Sequence, residues 1–341
     1  MNKFDPLVSS RFALGHASVV EDGRVTERKI QIVVSTSNVS PASLRLFSLD
    51  SKHIIRPLDD MDSVEVPVID YEENTLWTGN GGPIQQVALS EAVDEKSTFF
   101  AVRFALSIVI LQPLYHVSCS YADDALGYGR NSNTLQVNPL LEIPNSVTGL
   151  GVYADVSFNP WYQQQIAMVD CTGNWSVWEF QCRKLHRGQG TMEPGPSGTI
   201  ATHAGSNFPL KERDHYDGWA TILWVGNVNQ LLVCDRRTAV IFRTDLYPPE
   251  HHLIDLQFER QSEWILATSR SKHNSSHVFI VTSTRVFWLS VASDQQSDSQ
   301  NESKATVLLS WRHFRDIEDT SITLTTTLIQ NGTGPRRDVR T

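Results

Sequence analysis

Residues 166 to 180 set two apolar runs on either side of a tight turn, and neither run has a polar face. Ile166-Ala167-Met168-Val169 is uninterrupted hydrocarbon, the pattern of a strand covered on both sides. Asp170 to Asn174 supplies turn chemistry, with Gly173 free to take a positive φ. The chain then returns through Trp175-Ser176-Val177-Trp178-Glu179-Phe180. Side chains alternate along a strand, so Trp175 and Val177 share one face and Trp178 and Phe180 the other. A hairpin that is apolar on both faces requires a further sheet stacked against each side.

The pattern recurs. QIVVSTSNVSPASLRLFSLD at 31–50, TFFAVRFALSIVILQPL at 98–114, QLLVCDRRTAVIFRTD at 230–245 and HVFIVTSTRVFWLSV at 277–291 have the same outline. Their bulky slots fall at Phe47, Leu111, Trp178, Phe242 and Trp288, spaced by 64, 67, 64 and 46 residues. β-Hairpins repeating on this scale suggest propeller blades, which use ~40–50 residues each, here lengthened by inserts. A β-sandwich is the rival, but it shows turn signals every ~8–12 residues without a longer period. Few windows carry the i, i+3, i+4 apolar spacing of a helix. The expected fold is therefore all-β: a WD-type β-propeller, incomplete or truncated, with long loop insertions.

Domain organisation follows. Residues 1–325 read as the propeller region and 326–341 as a disordered tail. A further strand begins at Val307-Leu308-Leu309-Ser310-Trp311. Residues 51–75 read as an acidic, extended insert between blade-like pieces. The Gly-, Pro- and charge-rich stretch 183–217 and the polar stretch 292–305 read as flexible inserts. No apolar run reaches the ~20 residues of a membrane helix. The N-terminus lacks a signal peptide's apolar segment, so a soluble, intracellular protein without membrane association is expected. Five N-x-S/T sequons, at Asn38, Asn174, Asn274, Asn301 and Asn331, read as turn residues in that setting.

Charge limits the partners. A net charge of −9 disfavours a broad footprint on nucleic acid, which needs clustered Lys and Arg. Only short basic pieces such as Arg236-Arg237 and Arg312-His313-Phe314-Arg315 qualify.

Residues able to do chemistry do not form a known constellation. The sequence holds no P-loop, G-x-S-x-G elbow or HExxH. Gly79-Asn80-Gly81-Gly82 and Gly149-Leu150-Gly151 are incomplete as phosphate cradles and read as turns. The four cysteines, Cys119, Cys171, Cys182 and Cys234, form no CxxC pair. His116 and Cys119 lack a second ligand pair, so no metal is expected. His251-His252 reads as solvated loop. Asp155, Asp170 and Asp235 sit at strand starts and turns, which favours structural hydrogen bonding over catalysis. No catalytic, cofactor-binding or metal-binding residue is assigned, and no enzymatic activity is expected. The nine tryptophans are read as blade-to-blade packing, with partner anchoring as the alternative.

Gly173-Asn174-Trp175-Ser176-Val177-Trp178-Glu179-Phe180 resembles the closing strand of a WD-type blade, with Trp-Glu in place of Trp-Asp. Four segments add specificity when taken in order: 154–180, DGWATILWVGNVNQLLVCDRRT at 217–238, SHVFIVTSTRVFWL at 276–289 and SWRHFRDIEDTSITL at 310–324. Together they resemble the propeller region of the fungal RNA polymerase I-specific initiation factor family. Its members are the largest subunit of core factor and are similar to an animal TATA-binding-protein-associated factor of RNA polymerase I. The likeness spans about 100–325 and extends faintly back to Asp5-Pro6-Leu7. Phe158-Asn159-Pro160-Trp161 and Trp311-Arg312-His313-Phe314 are its most specific parts.

The resemblance implies a non-enzymatic scaffold of the nucleus and nucleolus, without cofactors. Implied partners are a TFIIB-like subunit, a helical-repeat subunit, RNA polymerase I and TATA-binding protein, with mainly indirect contact to the ribosomal DNA promoter. Family members continue into a helical region and a C-terminal tail that are absent here, so an N-terminal fragment or shortened product is expected. Two other readings are a generic WD-type adaptor in another complex and a propeller hydrolase with carboxylates or histidines converging on the channel. Co-purifying subunits separate the first, and a hydrolase screen the second.

Overall fold

Each apolar hairpin of the sequence is part of a four-stranded antiparallel meander. The computed structural model describes residues 5–55, 63–90, 97–117, 134–182, 190–200, 217–260, 262–291 and 305–326. The first meander is β1 (Phe12–Glu21), β2 (Arg24–Thr36), β3 (Ser43–Ile55) and β4 (Ser63–Thr78). The second is β5 (Gln86–Leu89), β6 (Phe100–Arg103), β7 (Ser107–His116) and β8 (Thr134–Pro144), followed by the short helix α1 (Asn145–Thr148). The third is β9 (Tyr153–Phe158), β10 (Gln165–Asp170), β11 (Asn174–Cys182) and β12 (Gly190–Thr199). The fourth is β13 (Ala220–Trp224), β14 (Gln230–Asp235), β15 (Ala239–Arg243) and β16 (Glu250–Leu253). The fifth is β17 (Ile265–Arg270), β18 (His277–Thr282), β19 (Arg285–Val291) and β20 (Ala305–Arg312). The slots Phe47, Leu111, Trp178, Phe242 and Trp288 all lie on the third strand of their meander, which explains their recurrence.

The meanders are propeller blades stacked face to face. The first and second enclose Val34, Leu46, Phe100, Phe104 and Leu111. Phe99, Ile110, Tyr153, Trp178 and Phe180 fill the junction of the second and third. Trp175, Val177, Trp224 and Phe242 fill the junction of the third and fourth. Leu232, Ile241, Ile280 and Phe287 fill that of the fourth and fifth. The two faces of β11 thus divide as alternation requires, Trp175 and Val177 to one neighbour and Trp178 and Phe180 to the other. Among the described residues, strand pairing does not join the fifth blade to the first, so the ring stays open there. The first two blades are joined more tightly than the others. Ser18, Val19 and Val20 of β1 pair in parallel with Leu114, Tyr115 and His116 of β7.

Four expectations need correcting. Residues 190–199, expected within a flexible insert, form β12. This is an edge strand, where proline removes no ladder bond from a second neighbour. Gly198 lies opposite Trp175, and a Cβ there would stand 2.8 Å from the indole, so the missing side chain admits the ring. Residues 51–55 and 63–75, expected within an insert between blades, belong to β3 and β4, with Ser51 opposite Pro67 and Lys52 opposite Val66, and 56–62 lie outside the described residues. His251 and His252 lie in β16 rather than in a loop, where His251 pairs with Phe242. Residues 183–189, 201–216, 292–304 and 327–341 lie outside the described residues. Thr326, expected in the tail, is anchored: its hydroxyl donates to the Arg270 carbonyl at 2.7 Å.

Candidate partner-binding surface

The first strand of each blade lines the ring's centre, and Asp155 of β9 ties three of them. Its Oδ1 accepts from Gln86 Nε2 on β5 at 2.6 Å. Its Oδ2 accepts from Thr221 Oγ1 and the Ile222 amide on β13 at 2.6 and 2.9 Å. Thr221 in turn meets Thr268 of β17, their hydroxyls 3.4 Å apart. Asp170 closes its own hairpin, its Oδ1 accepting from the Thr172 and Asn174 amides at 2.9 Å each, and its Oδ2 accepting from the Gly151 amide at 2.9 Å. Asp235 Oδ1 accepts from the amides of Arg237 and Thr238 at 2.8 and 2.7 Å. All three carboxylates therefore serve turns and blade junctions.

Two buried arginines were missed in the sequence. Arg103 is fully buried on β6. It donates to Gln86 Oε1 (2.8 Å), Gln85 Oε1 (2.7 Å), the Tyr153 carbonyl (2.7 Å) and the Leu7 carbonyl (2.6 Å). Burial lowers its pKa to about 10, opposed by the more distant charges of Asp155 and Asp5. It pins the N-terminal segment to the second and third blades. The available signal was a lone cation in the apolar run Phe99-Phe100-Ala101-Val102-Arg103-Phe104. Arg236, read only as part of a basic pair, lies between the rings of Trp219 and Trp264 at 4.5 and 5.4 Å and pairs with Asp217 at 2.6 Å. It acts as a structural clamp, not as a free basic patch.

The cysteines and histidines are dispersed. Cys171 and Cys234 are free thiols, and burial raises both pKa values. Cys119 lies outside the described residues. Among the described residues, no three His, Cys, Asp or Glu side chains gather as a metal would require.

The fifth blade carries a run of exposed apolar groups on its outer strand. Leu309 and Trp311 of β20 are 52% and 42% exposed, and Phe314 beyond it is 89% exposed. Trp288 stacks on Phe279 on the same blade, ring centroids 6.1 Å apart. This is the face turned away from the fourth blade. Ile322 and Leu324 are half-buried, and Ser269 of β17 meets Thr326 at 3.0 Å, so the last described segment runs beside the innermost strand.

The other family-specific stretch forms the β9–β10 turn. Phe158 enters the core between the second and third blades. Asn159 is fully buried, its Nδ2 donating to Gln165 Oε1 (2.6 Å) and the Val228 carbonyl (3.0 Å) and its Oδ1 accepting from the Trp161 amide (3.0 Å). That capped turn holds Trp161 outward, 41% exposed.

The family model described as Rrn6, beta-propeller, matches residues 5–337. The chain belongs to the Rrn6 β-propeller family. The resemblance read from the sequence to the fungal RNA polymerase I initiation factor therefore holds. No curated protein matches the Rrn6-family chain in sequence. Its fold is similar to a chain in the crystal structure of S. cerevisiae core factor, with a TM-score of 0.59 and 17% identity over 93% of this chain and 44% of that one. The Rrn6-family chain thus spans less than half the length of the core factor chain that it matches. Chaetomium thermophilum Sqt1, bound to the N-terminus of ribosomal protein L10, matches at a TM-score of 0.47 and 12% identity over 84% of this chain and 61% of that one. The β-propeller domain of Myceliophteria thermophila Cps50 (Swd1) matches at 0.44 and 9% identity over 82% and 68%.

Proposed function

We propose that this chain is a non-enzymatic scaffold subunit of RNA polymerase I core factor. In this reading it helps assemble the initiation complex at the ribosomal DNA promoter through protein–protein contacts. The family match over residues 5–337 carries the proposal. The partners are a TFIIB-like subunit and a helical-repeat subunit of core factor, RNA polymerase I and TATA-binding protein, in the nucleus and nucleolus. Blades stacked through four apolar junctions make a rigid body suited to presenting surfaces. The exposed Leu309, Trp311 and Phe314 provide apolar area of the kind protein contacts bury. A net charge of −9 makes promoter contact mainly indirect. In this reading the residues through 325 act as one propeller unit.

A pull-down from nuclear extract, paired with a DNA titration at physiological salt, tests the reading. Recovery of polymerase I initiation subunits with negligible DNA binding is expected. Tight, salt-sensitive DNA binding without those subunits overturns it.

A further inference from the structure

Residues 5–11 precede β1 and belong to no strand, yet they are fastened across the blades. The Arg11 carbonyl accepts from the Thr36 amide of the first blade at 3.1 Å. The Ser10 carbonyl accepts from the Val87 amide of β5 at 2.8 Å, and the Ser9 amide donates to the Gln85 carbonyl at 2.9 Å. β5 ends its sheet, so this strap covers an edge that no other described strand pairs. Leu7 packs against the apolar cluster between the third and fourth blades. Gly218 leaves room for it: a Cβ there would stand 3.2 Å from Cys171 Cβ and 3.6 Å from Leu7 Cδ2. Asp5 Oδ1 accepts from the Leu7 amide at 3.0 Å, which shapes the turn that delivers Leu7.

The strap is lightly held, but its seat is rigid. No residue of 5–11 is buried. Beneath it Arg103 is fully buried, its Nε and Nη1 held by Gln86, Gln85 and the Tyr153 carbonyl. Among the described residues its Nη2 bonds only to the strap, at 2.6 Å to the Leu7 carbonyl and 3.4 Å to Ser9 Oγ. When the strap lifts, that charged donor loses both acceptors at once, and the Val87 amide loses its own. A charged donor left unpaired in a buried site costs more than a neutral one. The seat therefore favours exchange for another peptide carbonyl over simple opening. A strand edge with donors already aimed is the arrangement onto which extended peptides add.

We propose that the edge of β5 and Arg103 Nη2 form a strand-addition site, filled here by Asp5–Arg11 and opened by exchange of that strap for an extended segment of a protein partner. The incoming segment carries an aliphatic side chain at the place of Leu7. Its main-chain groups are free at the places of Ser9 and Ser10. An acidic residue two positions before the aliphatic one repeats the turn that Asp5 makes. Main-chain bonds supply the affinity, and the aliphatic seat supplies the selectivity. The proposal goes beyond the core factor reading and does not depend on which complex the chain joins.

The test compares the full chain with its Leu7→Asp, Ser9→Pro double variant, using a labelled peptide of residues 5–12 and fluorescence anisotropy. The apolar seat of Leu7 does not accept a carboxylate, and proline in place of Ser9 has no amide to donate. Saturable binding of the peptide to the double variant is expected. Binding to the parent should be at least ~10-fold weaker, because its tethered strap competes at a high effective concentration. The same peptide carrying Leu7→Asp should bind the double variant at least ~10-fold more weakly than the unaltered peptide. Hydrogen exchange at the Val87 amide should accelerate in the double variant and slow again when the peptide is added. Leu7→Asp alone, at a half-buried position, covers the case in which the double variant misfolds. It too must accelerate exchange at Val87 while β18 keeps the parent's rate. Parent-like protection of Val87 in these variants, absence of saturable binding, or equal binding of the two peptides overturns the proposal. Neither readout involves other initiation subunits, so such a result leaves the core factor reading to the nuclear pull-down.

Discussion

The rings of Trp175 and Phe242 meet across the junction of the third and fourth blades, centroids 4.7 Å apart. Both side chains belong to the same buried cluster. The contact joins β11 to β15, so it measures blade stacking more directly than any contact within a sheet. Phe242→Ala is expected to cost ~3–5 kcal/mol of unfolding free energy. A double-mutant cycle with Trp175→Phe should return a coupling of ~0.5–1.5 kcal/mol. Denaturant titration checks both, and an unchanged midpoint for Phe242→Ala contradicts the assigned stacking.

Asp155 presents a different test, because its partners lie on other blades. Asp155→Ala leaves the Ile222 amide, the Thr221 hydroxyl and the Gln86 amide without their acceptor. An unpaired buried donor costs ~1–3 kcal/mol, so a loss of ~2–4 kcal/mol is expected with only part of the set buried. Hydrogen exchange should accelerate at Ile222, on the neighbouring blade. Acceleration confined to β9 would argue against a bridging role.

Glu263 makes stability depend on acidity. Burial pushes its pKa up, but bonds from the Thr282 and Thr284 hydroxyls and from Arg285 outweigh this and lower it from the usual 4.5. The unfolded chain therefore binds the proton more readily than the folded one. The resulting stabilisation is fully present above the unfolded value and is lost as pH falls through the folded one. Glu263→Gln should be less stable than the parent at pH 7 by ~1–3 kcal/mol. The gap should close as the solution is acidified below the usual carboxylate range. Thermal midpoints across pH check this, and a constant gap down to strong acid would refute it.

What was legible in the sequence was local. The β10–β11 hairpin and the split of its faces follow from six alternating residues, Trp175 to Phe180. β12 was not legible, because glycine and proline signal loops unless the strand is known to lie at an edge. Arg103 and Asp155 were visible as residues but not as connectors. Their partners stand up to 96 and 69 positions away, beyond the reach of periodicity. The contact of Arg270 with the Trp161 ring was hidden for the same reason, since the two belong to the inner strand of one blade and the turn of another.

The parallel pairing of Ser18, Val19 and Val20 with β7 gives the array a direction. The first blade is held to its neighbour by main-chain hydrogen bonds as well as by side chains. The fifth is held to the fourth by its apolar cluster, by contacts such as that of Thr221 with Thr268, and by isolated main-chain bonds from the Gly226 amide to Ser275 and from the Ile265 amide to Arg236, not by a run of paired strand residues. In a stack governed by nearest neighbours, unfolding begins at the end with the weaker single junction. Fraying should therefore start at β17–β20 and advance toward the N-terminal pair, which opens last as one cooperative unit.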